Sequence, residues 1–292
     1  TMTISKIGVI GAGLMGNGIA HAAVIAGFDV TLVDAFAAAL PKALATMTKN
    51  MERQVSKGVI TEEAKTAALA RLTTSTDWHA LADADIVIEA VPEKLEIKES
   101  IYKELAGALK PDAILASNTS SISITKLAAM SGRADKFIGM HFFNPVPMMK
   151  LVEVIRGLAT SDATYAAVRD LAEKLGKTPV DVQDAPGFIV NRLLCPMLNE
   201  AIFALAEGVG SVKDIDAAMK LGAAHPMGPL ELADFVGLDT LLSIMQVLHN
   251  ELGESKYRPA PLLVKYVEAG WYGRKSGRGF YDYSSNPPVP TR

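Results

Sequence analysis

The sequence holds a single cysteine, Cys195, among 292 residues. That excludes an internal disulfide framework and a cysteine-built metal cluster, and it suits a reducing compartment. No apolar run reaches the roughly 20 residues needed to cross a bilayer. No basic segment followed by an apolar run and a cleavage site opens the chain. An excess of one charge is also missing: 29 Lys and Arg against 32 Asp and Glu leave a formal charge of −3, which gives no general attraction to nucleic acid or an anionic membrane. His21, His79, His225 and His249 show no metal-ligand spacing with one another, so no metal is expected. These absences imply a soluble, cytoplasmic protein without nucleic-acid or membrane partners, in which any anion-binding site is local.

The composition that remains, 49% hydrophobic and 21% charged, is that of an ordinary globular protein, and the length suffices for two domains. Short β-branched runs alternate with helical patterns through the first half. Strands are expected at 6–10, 29–33, 86–89, 113–117 and 137–140, with extensions of the sheet at 151–155 and 178–182. Helices are expected at 15–26, 37–56, 62–72, 96–109 and 162–175. Near-continuous apolar strands separated by helices indicate a parallel sheet covered on both faces. The character changes at Ala185-Pro186-Gly187, beyond which Ala, Leu and Met recur at helical spacing, with breaks near Gly222, Gly228 and Gly253. The fold expected is therefore α/β: an N-terminal Rossmann-type doubly wound sheet over 1–185 and a smaller all-helical domain over 186–292. Residues 287–290 read as a Pro-rich tail without fixed structure.

The first strand leads at once into Gly11-Ala12-Gly13-Leu14-Met15-Gly16 and then a helix. Gly11 suits a tight turn, Gly13 a close approach of a pyrophosphate to the backbone, and Gly16 close packing of helix and strand, while the helix N-terminus offers unpaired N–H groups to phosphate. A GxGxxG alone is weak and could be a structural turn. Its place between strand and helix, followed by a second strand ending at Asp34, makes it a dinucleotide fingerprint. Asp34 accepts hydrogen bonds from ribose hydroxyls and repels a 2′-phosphate, and Ala35 and Phe36 supply no arginine for one, so the cofactor expected is NAD.

His141-Phe142-Phe143-Asn144-Pro145-Val146-Pro147 follows the strand at 137–140, which puts His141 at the carboxyl end of the sheet, where ligands of such folds bind. Glu153 stands 12 residues later within an apolar strand, where a carboxylate is costly unless paired. His141 is the economical partner if the chain doubles back at Pro145 and Pro147. A purely structural role for the pair is equally compatible with the spacing.

Together with the glycine loop, the blocks Ser117-Asn118-Thr119-Ser120-Ser121, His141 to Pro147, Leu151 to Ile155, Pro186-Gly187-Phe188-Ile189-Val190-Asn191-Arg192 and Gly277-Arg278-Gly279-Phe280-Tyr281 resemble the 3-hydroxyacyl-CoA dehydrogenase family over nearly the whole chain, in order and in separation. The resemblance is specifically to its short bacterial members that act on 3-hydroxybutyryl-CoA. It implies that His141 is the catalytic base and Glu153 the acid that orients it. It implies that Ser120 and Asn191 bind the reacting end of the substrate, and that Glu93, Lys98, Ser120, Asn144 and Lys275 contact the cofactor beside residues 11–16 and Asp34. It further implies a homodimer formed through the C-terminal domain. A histidine suits proton transfer from a secondary alcohol because its unperturbed pKa is about 6.5.

An acyl-CoA substrate carries phosphates. Lys42, Lys49 and Arg53 of the helix read over 37–56, with Lys57 just past its end, recur at spacings of seven and four and fall on one helical face. Of these only Lys57 matches a family CoA contact. At the other matched position, where the family can have serine, this chain has Asn50. The stripe is also readable as a solvated face. The reading favoured is reversible oxidation of a 3-hydroxyacyl-CoA, 3-hydroxybutanoyl-CoA first. A related dehydrogenase of a free hydroxy acid or sugar acid is the first alternative, and a non-catalytic NAD-binding structural protein is the second.

Overall fold

The computed structural model describes residues 2–292, in two compact units that divide between Ala185 and Pro186. In the first unit the apolar runs fold as strands buried on both faces, where branched side chains pack against helices on either side. The chain runs β1 (Lys6–Ile10), α1 (Leu14–Ile25), β2 (Asp29–Val33), α2 (Ala39–Ser56), α3 (Glu62–Ala70), β3 (Leu72–Ser75), β4 (Ile86–Glu89), α4 (Leu95–Ala108), β5 (Ile114–Ser117), α5 (Ile124–Ser131), β6 (Phe137–Phe142), β7 (Leu151–Arg156), α6 (Asp162–Lys174) and β8 (Thr178–Gln183). The sheet order is β3-β2-β1-β4-β5-β6-β7-β8. The order reverses between β1 and β4, so their carboxyl ends open a crevice at the switch point.

Three features of the sheet differ from the sequence reading. The sheet is not parallel throughout: β7 pairs antiparallel to β6, and β8 follows β7 in parallel. Strand β6 also runs two residues past 140, so His141 lies inside the ladder and not in the loop after it. An eighth strand, β3, adds to the edge beside β2, where its register follows from Val30 pairing with Leu72.

The second unit is mostly helical: α7 (Val190–Ala206), α8 (Val212–Gly222), α9 (Pro229–Val236), α10 (Leu238–Leu252) and α11 (Pro261–Glu268). Leu198, Ile202, Leu230, Leu241, Met245, Leu263 and Phe280 form its core. The chain end is ordered. Strands β9 (Tyr281–Asp282) and β10 (Val289–Pro290) pair, and Thr291 N–H donates to the Phe280 carbonyl at 2.9 Å. Two buried carboxylates hold this segment down. Asp234 accepts from the N–H groups of Phe280 and Tyr281 and from the Tyr283 hydroxyl, and Asp216 accepts from the Tyr281 hydroxyl. Among the described residues no single helix is long and apolar enough to cross a membrane.

Candidate active site

Gly11 adopts φ +100°, and a Cβ there would stand 2.4 Å from the Ala90 carbonyl oxygen, so only glycine makes this turn without strain. A Cβ on Gly16 would lie 1.6 Å from the Gly11 carbonyl oxygen, which closes the loop against the start of α1. Gly13 has nothing within 4 Å of the position a Cβ would take. It is the N-cap of α1, without a capping side chain, and the first turn holds no acid. The first N–H groups of the helix therefore face a clear approach with the positive end of the dipole behind them, which is the chemistry a pyrophosphate needs.

Gly11 and Gly13 line a cavity of about 1100 Å³, together with Asp34 and Phe36 at the end of β2, Ala90, Val91 and Pro92 after β4, and residues 144–147. The volume is that of a large ligand. Asp34 is half-buried: Oδ2 accepts from the Ala12 N–H at 2.8 Å and Oδ1 from the Phe36 N–H at 2.9 Å. Its carboxylate is thereby fixed at the cavity edge, suited to diol hydroxyls and opposed to a phosphate. The donor set fits an NAD molecule without a 2′-phosphate.

In the antiparallel ladder of β6 and β7, His141 and Glu153 are direct cross-strand partners. Such partners project on the same face of the sheet. His141 Nδ1 lies 2.9 Å from Glu153 Oε1. Glu153 is fully buried and His141 is 7% exposed. A carboxylate only accepts, so Nδ1 carries the proton and Nε2 becomes the basic nitrogen of the ring. The Phe143 ring, 4.5 Å away by centroids, packs beside the imidazole. This arrangement can take a proton at Nε2 and stabilise the resulting cation through Glu153.

The remaining expected residues fall in several places. Asn144 is part of the cavity wall, as are Lys42 and Asn50 of α2. Lys49 and Arg53 of the same helix and Lys57 at its end are exposed and stand outside that wall. Ser120 is half-buried between Thr119 and Ser121, whose hydroxyls donate to Glu93 at 2.7 and 2.9 Å. Lys98 does not reach the wall. It is fully buried, with Nζ 2.7 Å from Glu89 Oε2 and 3.8 Å from Glu93 Oε1. In the second unit, Asn191 lies in the first turn of α7 with its Oδ1 4.0 Å from Cys195 Sγ, and Lys275 pairs with Asp239.

Glu89 escaped the sequence reading. It ends β4 fully buried and accepts from Lys98 Nζ, the Val91 N–H, the Tyr102 hydroxyl at 2.6 Å and the Ser117 hydroxyl at 2.9 Å. It thus ties the turn at Ala90–Pro92 to the carboxyl end of β5, where the loop bearing Ser120 begins. The argument that found Glu153, a carboxylate in an apolar strand, applies equally to Ile86-Val87-Ile88-Glu89.

Comparison with known proteins adds the following. Residues 6–185 match the NAD binding domain of 3-hydroxyacyl-CoA dehydrogenase, and residues 187–283 match the C-terminal domain of 3-hydroxyacyl-CoA dehydrogenase. The chain is 64% identical to a 3-hydroxybutyryl-CoA dehydrogenase of Bradyrhizobium diazoefficiens, over 99% of each protein. It is 55% identical to a probable 3-hydroxybutyryl-CoA dehydrogenase of Bacillus subtilis, over 97% of this chain and 98% of that one. Among solved structures, (S)-3-hydroxybutyryl-CoA dehydrogenase from Ralstonia eutropha superposes with a TM-score of 0.95 at 54% identity, covering 97% of this chain and 100% of the other.

Proposed function

The chain belongs to the 3-hydroxyacyl-CoA dehydrogenase family, and from that premise we propose that it interconverts (S)-3-hydroxybutanoyl-CoA and acetoacetyl-CoA, with His141 as acid and base. It is an NAD-dependent oxidoreductase acting on a 3-hydroxyacyl-CoA. NAD, when bound, accepts the hydride released from C3 of the alcohol. The observation that carries the residue assignment is the buried contact of His141 Nδ1 with Glu153 Oε1 at 2.9 Å.

The side chains divide the work. His141 Nε2 takes the hydroxyl proton in the oxidative direction and returns it in the reductive one. Glu153 holds the ring in one tautomer and offsets the imidazolium charge. Ser120 and Asn191 orient the oxygen that becomes the carbonyl. The uncapped start of α1, Gly13 and Asp34 bind the pyrophosphate and ribose, with Asn144, Glu93 and Lys275 as further cofactor contacts. Lys98 supports that set from within, through Glu93 and Glu89. Asn50 and Lys42 face the cavity, while Lys49, Arg53 and Lys57 offer positive charge to the CoA phosphates. The second unit supplies the substrate contact of Asn191 and the surface of a homodimer.

Initial rates of NADH oxidation with acetoacetyl-CoA and with free acetoacetate test this. Turnover with the thioester and little with the free acid is the outcome expected. Faster turnover of the free acid would replace the CoA reading with that of a hydroxy-acid dehydrogenase, and NADH binding without turnover of either would make the protein non-catalytic.

A further inference from the structure

Lys177 stands just before β8 and is buried, 8% exposed. Its ammonium donates to the carbonyls of Val146 and of Met149, the latter at 2.9 Å. Among the described residues no carboxylate lies within ion-pair distance of it. Burial lowers its pKa from the ordinary lysine value, and the charge of Lys150 adds to the effect. A buried cation without a counter-ion is costly, and it persists where its hydrogen bonds hold something in place.

What it holds is the connection between β6 and β7. The Pro145 carbonyl accepts from the N–H groups of Met148 and Met149, both at 3.0 Å, so the segment is a tight turn, and Lys177 closes it from beneath. On the far side the turn rests on α1. A Cβ added at Gly18 would stand 2.8 Å from Val146 Cβ, so helix and turn touch with no room for another methyl group. The Thr178 N–H donates to the Lys150 carbonyl at 2.7 Å, which ties the end of the turn to the strand that Lys177 precedes. Residues 144–147 of this turn line the cavity, as do Met15, Asn17 and Gly18 of α1.

We propose that Lys177 is a positioning residue for the cofactor, fixing the 144–149 turn against α1 so that Asn144 and its neighbours meet the bound dinucleotide in one geometry. The proposal rests on the reading of this cavity as the NAD site. Lys177 touches neither cofactor nor substrate and acts through two main-chain carbonyls. A residue that merely stabilised the fold would change the melting temperature and leave affinity per folded molecule untouched. A positioning residue changes affinity for one ligand and not the other.

The experiment is a fluorescence titration of the full chain with NADH alone, followed by steady-state kinetics with acetoacetyl-CoA. Lys177→Met keeps the aliphatic stem and removes the donors. It is expected to raise the Kd for NADH about tenfold while the KM for acetoacetyl-CoA stays within twofold. Lys177→Arg, which can still donate to two carbonyls, is expected to stay within about threefold of the parent in both. An unchanged NADH affinity in Lys177→Met overturns the inference, whatever happens to its melting temperature. If the methionine variant does not fold, Lys177→Gln decides: a weakening of NADH binding clearly larger than that of Lys177→Arg, with the KM for acetoacetyl-CoA unchanged, supports the role, and an affinity equal to that of Lys177→Arg overturns it. A parent chain that fails to bind NADH at all refutes the cofactor reading itself, which is a separate result.

Discussion

At the scale of single residues, the pair His141 and Glu153 bears the chemistry. His141→Ala should lower turnover roughly 10²- to 10⁴-fold, the usual worth of a positioned general base. NADH affinity should stay near that of the parent, because proton transfer is what is lost. Near-normal turnover in a folded variant would remove His141 from the mechanism. Asp34 sets the cofactor: Asp34→Ser with Phe36→Arg should move the NADPH-to-NADH preference toward NADPH, read as the ratio of kcat/KM values. A parent that already prefers NADPH would contradict the role given to Asp34. Cys195 is outside this chemistry. Burial pushes its thiol up to about 12, so it stays protonated and inert at neutral pH.

At the scale of elements, contacts between helices and turns carry their own tests. His21 of α1 is buried, with Nε2 2.8 Å from Gln54 Oε1 of α2 and Nδ1 without a hydrogen-bond partner. Burial lowers its pKa, which the Gln54 bond only partly offsets, and the charge of Lys177 lowers it further. The unfolded side chain titrates at 6.5, so protonation favours unfolding. The stability that the neutral ring contributes is complete above that value and is lost as the pH falls through it toward the folded value. Urea midpoints of the parent should therefore drop more between about pH 8 and about pH 5 than those of His21→Leu. Equal drops would show that the ring is accessible to protons in the folded state. In the second unit, a Cβ at Gly279 would stand 2.1 Å from Asp234 Oδ1. Gly279→Ala should break the hold of Asp234 on the chain end and cost about 1–3 kcal/mol, as overpacking typically does. A urea midpoint equal to that of the parent would show that the segment can shift freely.

At the scale of the whole molecule, the second unit exposes Leu193 (69%), Leu221 (86%) and Phe235 (52%). Apolar surface of this kind is commonly covered by an isologous twofold contact. Sedimentation at micromolar concentration should give a mass near twice the 31.0 kDa of the chain. A fully active monomer would remove the dimer and leave the chemistry standing. Much of this molecule was legible in its sequence where one local rule governed each stretch. The glycine loop, Asp34 and the carboxylate in Leu151–Arg156 announce themselves because each conflicts with its surroundings unless it has a purpose. The strand Leu72–Ser75 did not, because it lies at the sheet edge with a single large apolar residue, and its pairing with β2 supplies the order that its composition lacks. The break at Gly237 was hidden in an apolar stretch that reads as one helix, although the chain takes φ +101° there and separates α9 from α10. Lys177 was invisible for another reason. A lysine before a strand reads as solvated, and only the fold shows two carbonyls beneath it.

The cross-strand register of β6 and β7 has one further consequence. Side chains along a strand alternate between faces, so a shift of the ladder by a single residue would carry Glu153 to the opposite face of the sheet from His141. Residues added within 143–150 would loop out without altering that count, since lengthening a connection costs little. They would disturb the cofactor wall and spare the proton relay. The hairpin therefore has a parity: length can drift where the chain turns, while inside the two strands inheritance is counted in twos, and the two halves of the catalyst can be lost independently.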